Sequence, residues 1–408
     1  MKSLLRSYSV IEKPILYVII AEFFLQLINS TFLAILPLYM DAEEYSDPDI
    51  GNSIKFRYLG VLVLSIFLGM YIRGRRLRHL FTFACIFVPL FGLGVVYTVG
   101  LHQIELNHAM QIMWGISFTF MQIPVLPFIL RNSAKENHTA AISLSYATWS
   151  VATILSHALI AIMNGADPVL FNEKNILIIF SCTGFISLFF IWKAKLIEFV
   201  PPKDEGKTMI LKKDIPTVVK ALIPTLIIAV GAGFTIPFIS LFFSNVHHLS
   251  TSQFATLNLV AAVLVAGGSL LVPKIKESLG YKIAVPSTQS FAIIALVLMA
   301  TTQFYSHLSI AVFIAMGCYL LRQPLMNLAG PMTTEIVMDF AGKRNREIMS
   351  ALSAAIWSGS WYFSGQLFAS MRGEGIPFVN IFLITAALYA VGVVWYIFLI
   401  RAYEKKTK

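Results

Sequence analysis

The stretch Tyr-Leu-Leu-Arg-Gln-Pro-Leu-Met-Asn-Leu-Ala-Gly-Pro, residues 319–331, places one arginine, two amides and two prolines inside a long apolar run. The run extends from near Leu308 to about Glu335, so Arg322 lies roughly 16–21 Å from either end at the rise of an α-helix. A charge at that depth of a bilayer costs about a few kcal/mol or more, and it normally faces the protein interior or a water-filled cavity. The prolines free backbone groups that hydrocarbon tolerates only where protein or water satisfies them. The stretch therefore predicts a membrane helix that lines a polar cavity.

One face of this helix is predicted to carry its polar side chains. Arg322 is the candidate anchor for an anionic or zwitterionic group, because the planar guanidinium suits carboxylate and phosphate. Other residues recur near it at helical spacing and are expected to share that face. These further substrate-binding candidates are Tyr319, Gln323, Met326 and Asn327.

The composition of the whole chain is that of a membrane protein. Of its 408 residues, 57% are hydrophobic and 13% are charged, whereas a soluble protein of this size carries about a quarter charged residues. The net charge of +10 comes from short basic clusters between apolar runs, so we expect membrane topology rather than nucleic-acid binding. The three cysteines, Cys85, Cys182 and Cys318, are scattered through apolar segments, and embedded carboxylates are few. We therefore expect no metal site and no cofactor.

Apolar runs of about 20 residues predict twelve membrane-spanning helices. The first is expected to stay uncleaved, and the basic clusters favour a topology with both chain ends in the cytoplasm. In this assignment Lys55 and Arg57 belong to the outer side. The spans are expected near residues 14–39, 53–72, 79–100, 106–130, 139–163, 175–194, 217–243, 251–273, 283–304, 308–334, 348–371 and 377–400.

A polar, proline-containing segment, residues 195–216, reads as a cytoplasmic linker between two six-helix domains, 1–194 and 217–408. The domains repeat one another. Residues 137–150 and 345–358 share an asparagine, a leucine, two serines and a tryptophan at a constant offset of 208. Two parallel six-helix repeats with a binding site at their interface are one plan of secondary transporters.

With this layout, and with the loop that follows each second helix, the chain resembles the major facilitator superfamily of secondary transporters over essentially its whole length. That family carries Gly-x-x-x-Asp-Arg-x-Gly-Arg-Arg/Lys in this loop, whereas residues 69–78 read Gly-Met-Tyr-Ile-Arg-Gly-Arg-Arg-Leu-Arg and lack the acid. A more altered copy occupies 268–282. The resemblance implies an all-α fold of two pseudo-symmetric six-helix bundles, as in a generic bacterial member. It also implies a gating role for the loop candidates Gly69, Arg73, Arg76, Gly280 and Lys282.

The first predicted span carries the other deeply embedded charge. Glu22 lies about 12 Å in from the cytoplasmic end, where a carboxylate can take up and release a proton, so it is the candidate proton-coupling residue. Since Arg322 lies at a compatible depth, two interpretations stay open: an ion pair that only holds two helices in register, or a role in substrate or proton transfer. The first half also supplies substrate-binding candidates, namely Gln26, Asn29, Trp114, Gln122 and Tyr146. Trp149 and Trp357 are expected in the core.

The sequence thus predicts a secondary active transporter that moves a small organic solute by alternating access across the plasma membrane, here the bacterial inner membrane. Anionic, zwitterionic and amphipathic solutes all fit, and proton-coupled export is the principal hypothesis. An uptake symporter for a nutrient and a non-transporting sensor or lipid-binding scaffold stay open as alternatives. No phosphate-binding glycine loop and no hydrolytic constellation occurs, so we do not expect an enzyme. The expected partners of a monomeric protein are the lipid bilayer and the solute.

Overall fold

The structure, a computed structural model, describes residues 11–72, 75–132, 138–194, 214–342 and 346–407. Within these ranges every regular element is a helix, either α or 3-10. The predicted all-α class is confirmed for this part of the chain.

The first half contains seven helices among its described residues. Phe185 separates the last two, which together form one apolar stretch, Glu173–Lys193. The helices are α1 (Lys13–Ala42), α2 (Asp47–Tyr71), α3 (Arg78–Gly100), α4 (Ile104–Asn132), α5 (His138–Ala166), α6 (Glu173–Gly184) and α7 (Ile186–Lys193).

The described part of the second half contains six α-helices, and it departs from simple, continuous spans at two places. A 3-10 turn at Ile236–Phe238 joins the first two, and Gly280 interrupts the long third helix with φ 63° and ψ 171°. That conformation is open to glycine and strained for other residues, so Gly280 separates the predicted eighth and ninth spans. The helices are α8 (Ile215–Thr235), α9 (Ile239–His247), α10 (Thr251–Thr301), α11 (Ser309–Ala341), α12 (Arg346–Gly373) and α13 (Phe378–Thr407).

Ten helical stretches of the described chain are long and apolar enough to cross a membrane. Most predicted spans coincide with one of them, including Ser309–Ala341, which contains the stretch around Arg322. The helices α2 and α12 are not among the ten. The chain is thus a multi-pass helical protein, and the count of twelve spans stays a prediction.

Contacts between Cα atoms divide the chain into two units. The first unit comprises Met1–Tyr45 and Phe56–Lys207, and the second comprises Ser46–Lys55 and Thr208–Lys408. The first turns of α2 thus group with the second unit, and the boundaries of the two predicted domains stay a prediction. The predicted linker, residues 195–216, lies outside the described residues up to position 213.

The described parts of α5 and α12 contain residues 138–150 and 346–358, which belong to the two segments that repeat one another in sequence. The expectation that Trp149 and Trp357 lie in the core is wrong, because 48% and 38% of their surfaces are exposed. In a membrane protein such an apolar face can contact lipid, which is as apolar as a protein core.

Candidate functional site

Arg322 is buried in the middle of α11 and belongs to the second unit. Only 2% of its surface is exposed, and its Nη2 lies 3.4 Å from the Tyr389 hydroxyl, to which it donates a weak hydrogen bond. Its Nε is buried and has no hydrogen-bond partner. No carboxylate of the described residues forms an ion pair with it. The structure therefore holds a buried guanidinium whose hydrogen-bonding capacity is largely unused.

A chain of polar side chains lies next to Arg322 along the same helix. Gln323 Nε2 donates to the Tyr319 hydroxyl at 2.7 Å, and that hydroxyl donates in turn to Asn258 Oδ1 of α10. Asn327 is exposed and donates from Nδ2 to the backbone carbonyl of Gln323 at 2.9 Å. Hydrogen bonds thus bring together three of the predicted residues, Tyr319, Gln323 and Asn327, with Asn327 at the edge of the group.

Another predicted member of this face, Met326, is half-buried and contributes apolar surface. It lies one turn from Arg322 on α11. Its unbranched side chain can adapt to groups of different shape.

The predicted polar face of α1 is buried in the first unit. Glu22 is 8% exposed, and its Oε2 accepts a hydrogen bond of 2.7 Å from the Ser145 hydroxyl of α5. Gln26 Oε1 accepts from Asn29 Nδ2 at 3.2 Å. Glu22 has no cationic partner among the described residues, and its hydrogen bond lies within its own unit. The predicted pair with Arg322 remains a hypothesis.

Lys55 and Arg57, which the predicted topology assigns to the outer side, are buried side chains of α2, and that topology stays a prediction. The helix α2 begins at Asp47, six residues before the predicted span, so Arg57 lies about 15 Å along the helix. Both side chains are buried, with 6% and 9% of their surfaces exposed. Arg57 is therefore a buried charge within α2, which the apolar run alone did not reveal.

A local signal for the true start of α2 is present in the sequence. Ser46 precedes Asp47-Pro48-Asp49, and a serine followed by proline and acids is typical of a helix N-terminus. In the structure the Ser46 hydroxyl accepts from the Asp49 backbone N–H at 3.3 Å and donates to Asp49 Oδ2 at 2.6 Å.

Arg57 packs its guanidinium against an indole in the first unit. Its Cζ lies 3.7 Å from the ring centroid of Trp114, and its Nη2 donates a hydrogen bond to Asn29 Oδ1. Trp114 is fully buried and also contacts Phe32, with 4.7 Å between ring centroids. Two predicted binding residues, Asn29 and Trp114, thus meet at an arginine that the prediction had placed elsewhere.

A close crossing of α2 and α4 holds this arrangement. A Cβ on Gly115 would lie 2.1 Å from the Arg57 carbonyl oxygen, and a Cβ on Gly60 would lie 2.3 Å from the Ile112 carbonyl oxygen. Since no side chain fits between these backbones, only glycine permits the approach. The crossing brings the first turns after Phe56 directly against the helix that carries Trp114.

Arg372 of α12 differs from both embedded arginines because it has an acid. Its Nε and Nη2 each lie 2.6 Å from Asp47 Oδ2, and its Nη1 donates to the Ile376 carbonyl oxygen at 2.7 Å. These residues all belong to the second unit as the contacts define it. Nearby, Lys55 donates to Asn52 Oδ1 at 2.8 Å and to Gln366 Oε1.

The remaining predicted residues are not gathered around either arginine. Gln122 is exposed on α4, and the side chain of Tyr146 lies outside the described residues. Among the gating candidates, Arg73 lies outside the described residues as well. The others are Gly69 within α2, the exposed Arg76 and Lys282, and Gly280 at the break in α10.

Across the described ranges, no group of three or more His, Cys, Asp and Glu side chains is placed to hold a metal ion. The polar groups that lie around the buried arginines are amides and hydroxyls, which can bind polar organic groups, and the guanidinium itself suits an anion.

No protein-family model matches the sequence, and no curated protein matches it. Solved structures do match in fold. A bacterial homolog of the human lysosomal transporter Spinster, inward-facing and unoccupied, is 14% identical with a TM-score of 0.73, over 96% of this chain and 97% of that chain. A D-xylose–proton symporter is 12% identical with a TM-score of 0.74, over 94% and 96%.

The POT family transporter PepTSo is 11% identical with a TM-score of 0.75, over 97% of this chain and 99% of that chain. Each of the three is a transporter and not an enzyme. Identities this low show the shared fold and leave the substrate open. The resemblance drawn from the layout of spans and loops is confirmed at the level of fold. The chain is a multi-pass membrane protein with the fold of the major facilitator superfamily of transporters.

Proposed function

We propose that the chain is a proton-coupled secondary transporter for a small organic solute that carries an anionic or zwitterionic group. The observation that supports this function best is Arg322, which is 2% exposed in a membrane helix and has neither a partner for its Nε nor an acidic partner among the described residues. The fold shared with transporters supports alternating access as the mechanism.

A buried guanidinium without an acid is costly to the empty protein. The free-energy cost of desolvating the charge is offset only when an anion and further hydrogen bonds interact with it. A carboxylate or phosphate of the solute would supply short, charge-assisted hydrogen bonds to Arg322. The neighbouring chain of Gln323, Tyr319 and Asn258 can then bind the polar remainder of the solute.

Glu22 is the proposed proton carrier. Its carboxylate is buried in α1, the Ser145 hydroxyl donates to it, and no cation of the described chain neutralises it. Embedded acids of this kind mark proton pathways in transporters. Among the compared proteins, the D-xylose–proton symporter is proton-coupled by name.

The proposal includes the predicted topology, with twelve spans and both termini in the cytoplasm of a bacterial cell. Export is the proposed direction. In liposomes preloaded with solute, an acidic exterior should drive loss of the solute from an antiporter and retention or accumulation by a symporter. Accumulation would show that the protein takes up the solute rather than exporting it. The proposed anion site at Arg322 would not be affected by that outcome.

The site is tested with purified protein in proteoliposomes and a panel of dicarboxylates, amino acids and phosphorylated metabolites. Wild type should show saturable counterflow of at least one member, and Arg322→Ala and Arg322→Lys should lower it by about tenfold or more. Arg372→Lys is the matched control, because Arg372 has its own acid. Counterflow of neutral or cationic solutes alone, or a rate unchanged by Arg322→Ala, would contradict the anion anchor.

Proton coupling is tested by Glu22→Gln over a pH series. The amide cannot ionise but keeps the size of the side chain and its bond to Ser145. Transport by this variant should lose its dependence on an imposed proton gradient, while the exposed acid variant Glu105→Gln should keep it. An unchanged pH profile in Glu22→Gln removes the proton role from this residue.

A further inference from the structure

We infer that Arg57, Asn29, Trp114 and Gln111 form a second anion-binding subsite, which lies within the first unit and takes a carboxylate or phosphate group. The inference rests on the proposed transport of an organic anion and deepens it, because a substrate or co-substrate anion then contacts an arginine of the first unit. Binding at this subsite is measurable without transport.

The guanidinium of Arg57 is only partly satisfied. Its one hydrogen-bond acceptor among the described residues is Asn29 Oδ1, and Trp114 covers one face at 3.7 Å. Neither contact neutralises the positive charge, and no acid of the described chain pairs with it. Its other N–H groups have no acceptor among the described residues, and 9% of the residue's surface is exposed.

Two further buried donors belong to α4, the helix whose Trp114 packs against the guanidinium. Trp114 Nε1 has no hydrogen-bond partner, and it belongs to the ring on which Arg57 stacks. Gln111 is fully buried with neither Nε2 nor Oε1 partnered, one helical turn before Trp114 on α4. Buried polar groups of folded proteins are nearly always paired, so unpaired donors clustered at an arginine point to a ligand.

The subsite is built rigidly. The backbones of α2 and α4 touch at Gly60 and Gly115, which fixes the position of Arg57 relative to Trp114. Donors held in place by packing lose little conformational entropy when an anion binds.

An arginine with a purely structural role would have different partners from those of Arg57. Arg372 shows how this chain satisfies an arginine that joins two helices, with Asp47 at 2.6 Å on two nitrogens and a backbone carbonyl on the third. Arg57 has an amide and a ring instead, both of which leave the charge available to an external anion.

The test measures anion binding to purified full-length protein through tryptophan fluorescence. Inorganic phosphate, sulfate and succinate are titrated against choline chloride at equal ionic strength, and the Trp114 signal is taken as wild type minus Trp114→Phe. We expect a saturable change with phosphate or with succinate, and the two arms distinguish phosphate from carboxylate recognition. Arg57→Lys should weaken the apparent affinity by about tenfold or more, since a lysine cannot form the planar fork.

Arg57→Met should abolish the signal, and Arg322→Met should retain it. Thermal melting reports whether each variant is folded. If Arg57→Met is not folded, the result with Arg57→Lys alone decides the test. Absence of a saturable Trp114 signal in wild type with all three anions overturns the subsite, as does a signal that persists in both Arg57 variants. Those outcomes leave the Arg322-dependent counterflow untouched, so failure of the subsite and failure of the proposed transport are distinguishable.

Discussion

In the part of the chain that the structure describes, each unit buries an arginine that has no acidic partner, but the surroundings of the two arginines differ. Arg57 in the first unit is stacked on Trp114 and bonded to an amide, and it keeps 9% of its surface open. Arg322 in the second unit has one long hydrogen bond of 3.4 Å to Tyr389, a partnerless Nε and 2% of its surface open. The comparison separates a guanidinium that the protein itself partly satisfies from one that it leaves in need of a ligand.

The supports of the two arginines differ as well. In the first unit, glycine lets one backbone press against another, as the 2.1 Å between a Cβ at Gly115 and the Arg57 carbonyl oxygen shows. In the second unit, a Cβ at Gly231 would lie 2.9 Å from the Tyr389 ring, so the close contact there is with a side chain. A side chain can move where a backbone cannot, which makes the environment of Arg322 the more adaptable one.

The largest effect is expected from the glycines. Gly115→Ala forces two backbones apart and should lower the free energy of unfolding by about 3 kcal/mol or more, so that little folded protein is recovered. Gly231→Ala displaces only the Tyr389 ring and should cost about 1–2 kcal/mol. The control is Gly317→Ala on α11, where a Cβ meets no atom within 4 Å and the variant should melt at or above the wild-type temperature. Equal melting of all three variants in detergent would show that the helix crossing does not hold Arg57.

The second effect concerns the sign of the stability change when an arginine becomes methionine. Arg322→Met removes a buried, poorly satisfied charge and should stabilise the ligand-free protein by about 2 kcal/mol. Arg372→Met leaves Asp47 without its partner and should destabilise the protein by a similar amount, about 2 kcal/mol. Melting in anion-free buffer checks both signs.

Arg57→Met should fall between these two variants. It removes an unneutralised charge but also loses the stacking on Trp114 and the bond to Asn29, so the terms largely cancel within about 1 kcal/mol. A melting temperature of Arg322→Met below that of wild type would mean that the Tyr389 contact already satisfies the guanidinium.

Local patterns were sufficient to group the polar residues of α11 and insufficient to group the residues around Arg57. Tyr319, Arg322 and Gln323 lie within one turn of one helix, so helical periodicity alone places them together. Tyr389 of α13 contacts Arg322 across 67 positions of sequence, and a single sequence carries no signal for such a contact. The residues of α11 were therefore predictable and their partner was not.

Arg57 was missed for a different reason. The apolar run suggested a span from residue 53, and the charged residues before and after that point were read as an outer flank. The start signal at Ser46 shows that a polar, capped beginning precedes the apolar part of α2 by two turns. Two buried charges then belong to the helix, and the close crossing at Gly60 and Gly115 fixes the position of one of them.

The smallest effect distinguishes two hydroxyls of the second unit. Tyr319→Phe removes a hydroxyl that accepts from Gln323 and donates to Asn258, and it leaves both amides unpaired. It should cost about 1–2 kcal/mol. Tyr389→Phe removes only the 3.4 Å bond with Arg322 and should cost about 0.5 kcal/mol or less in the absence of ligand.

The two tyrosine variants should also differ in transport. Because a bound anion would take over the Arg322 nitrogens, Tyr389→Phe should leave the half-saturating solute concentration within about threefold of wild type. Tyr319→Phe alters the group that binds the polar remainder of the solute and should raise that concentration by about tenfold, with a smaller change in the maximal rate. Counterflow over a range of solute concentrations measures both quantities. If Tyr389→Phe proves the more damaging variant, Tyr389 holds Arg322 in its binding geometry, and the long bond in the structure becomes part of the site rather than a substitute for the missing ligand.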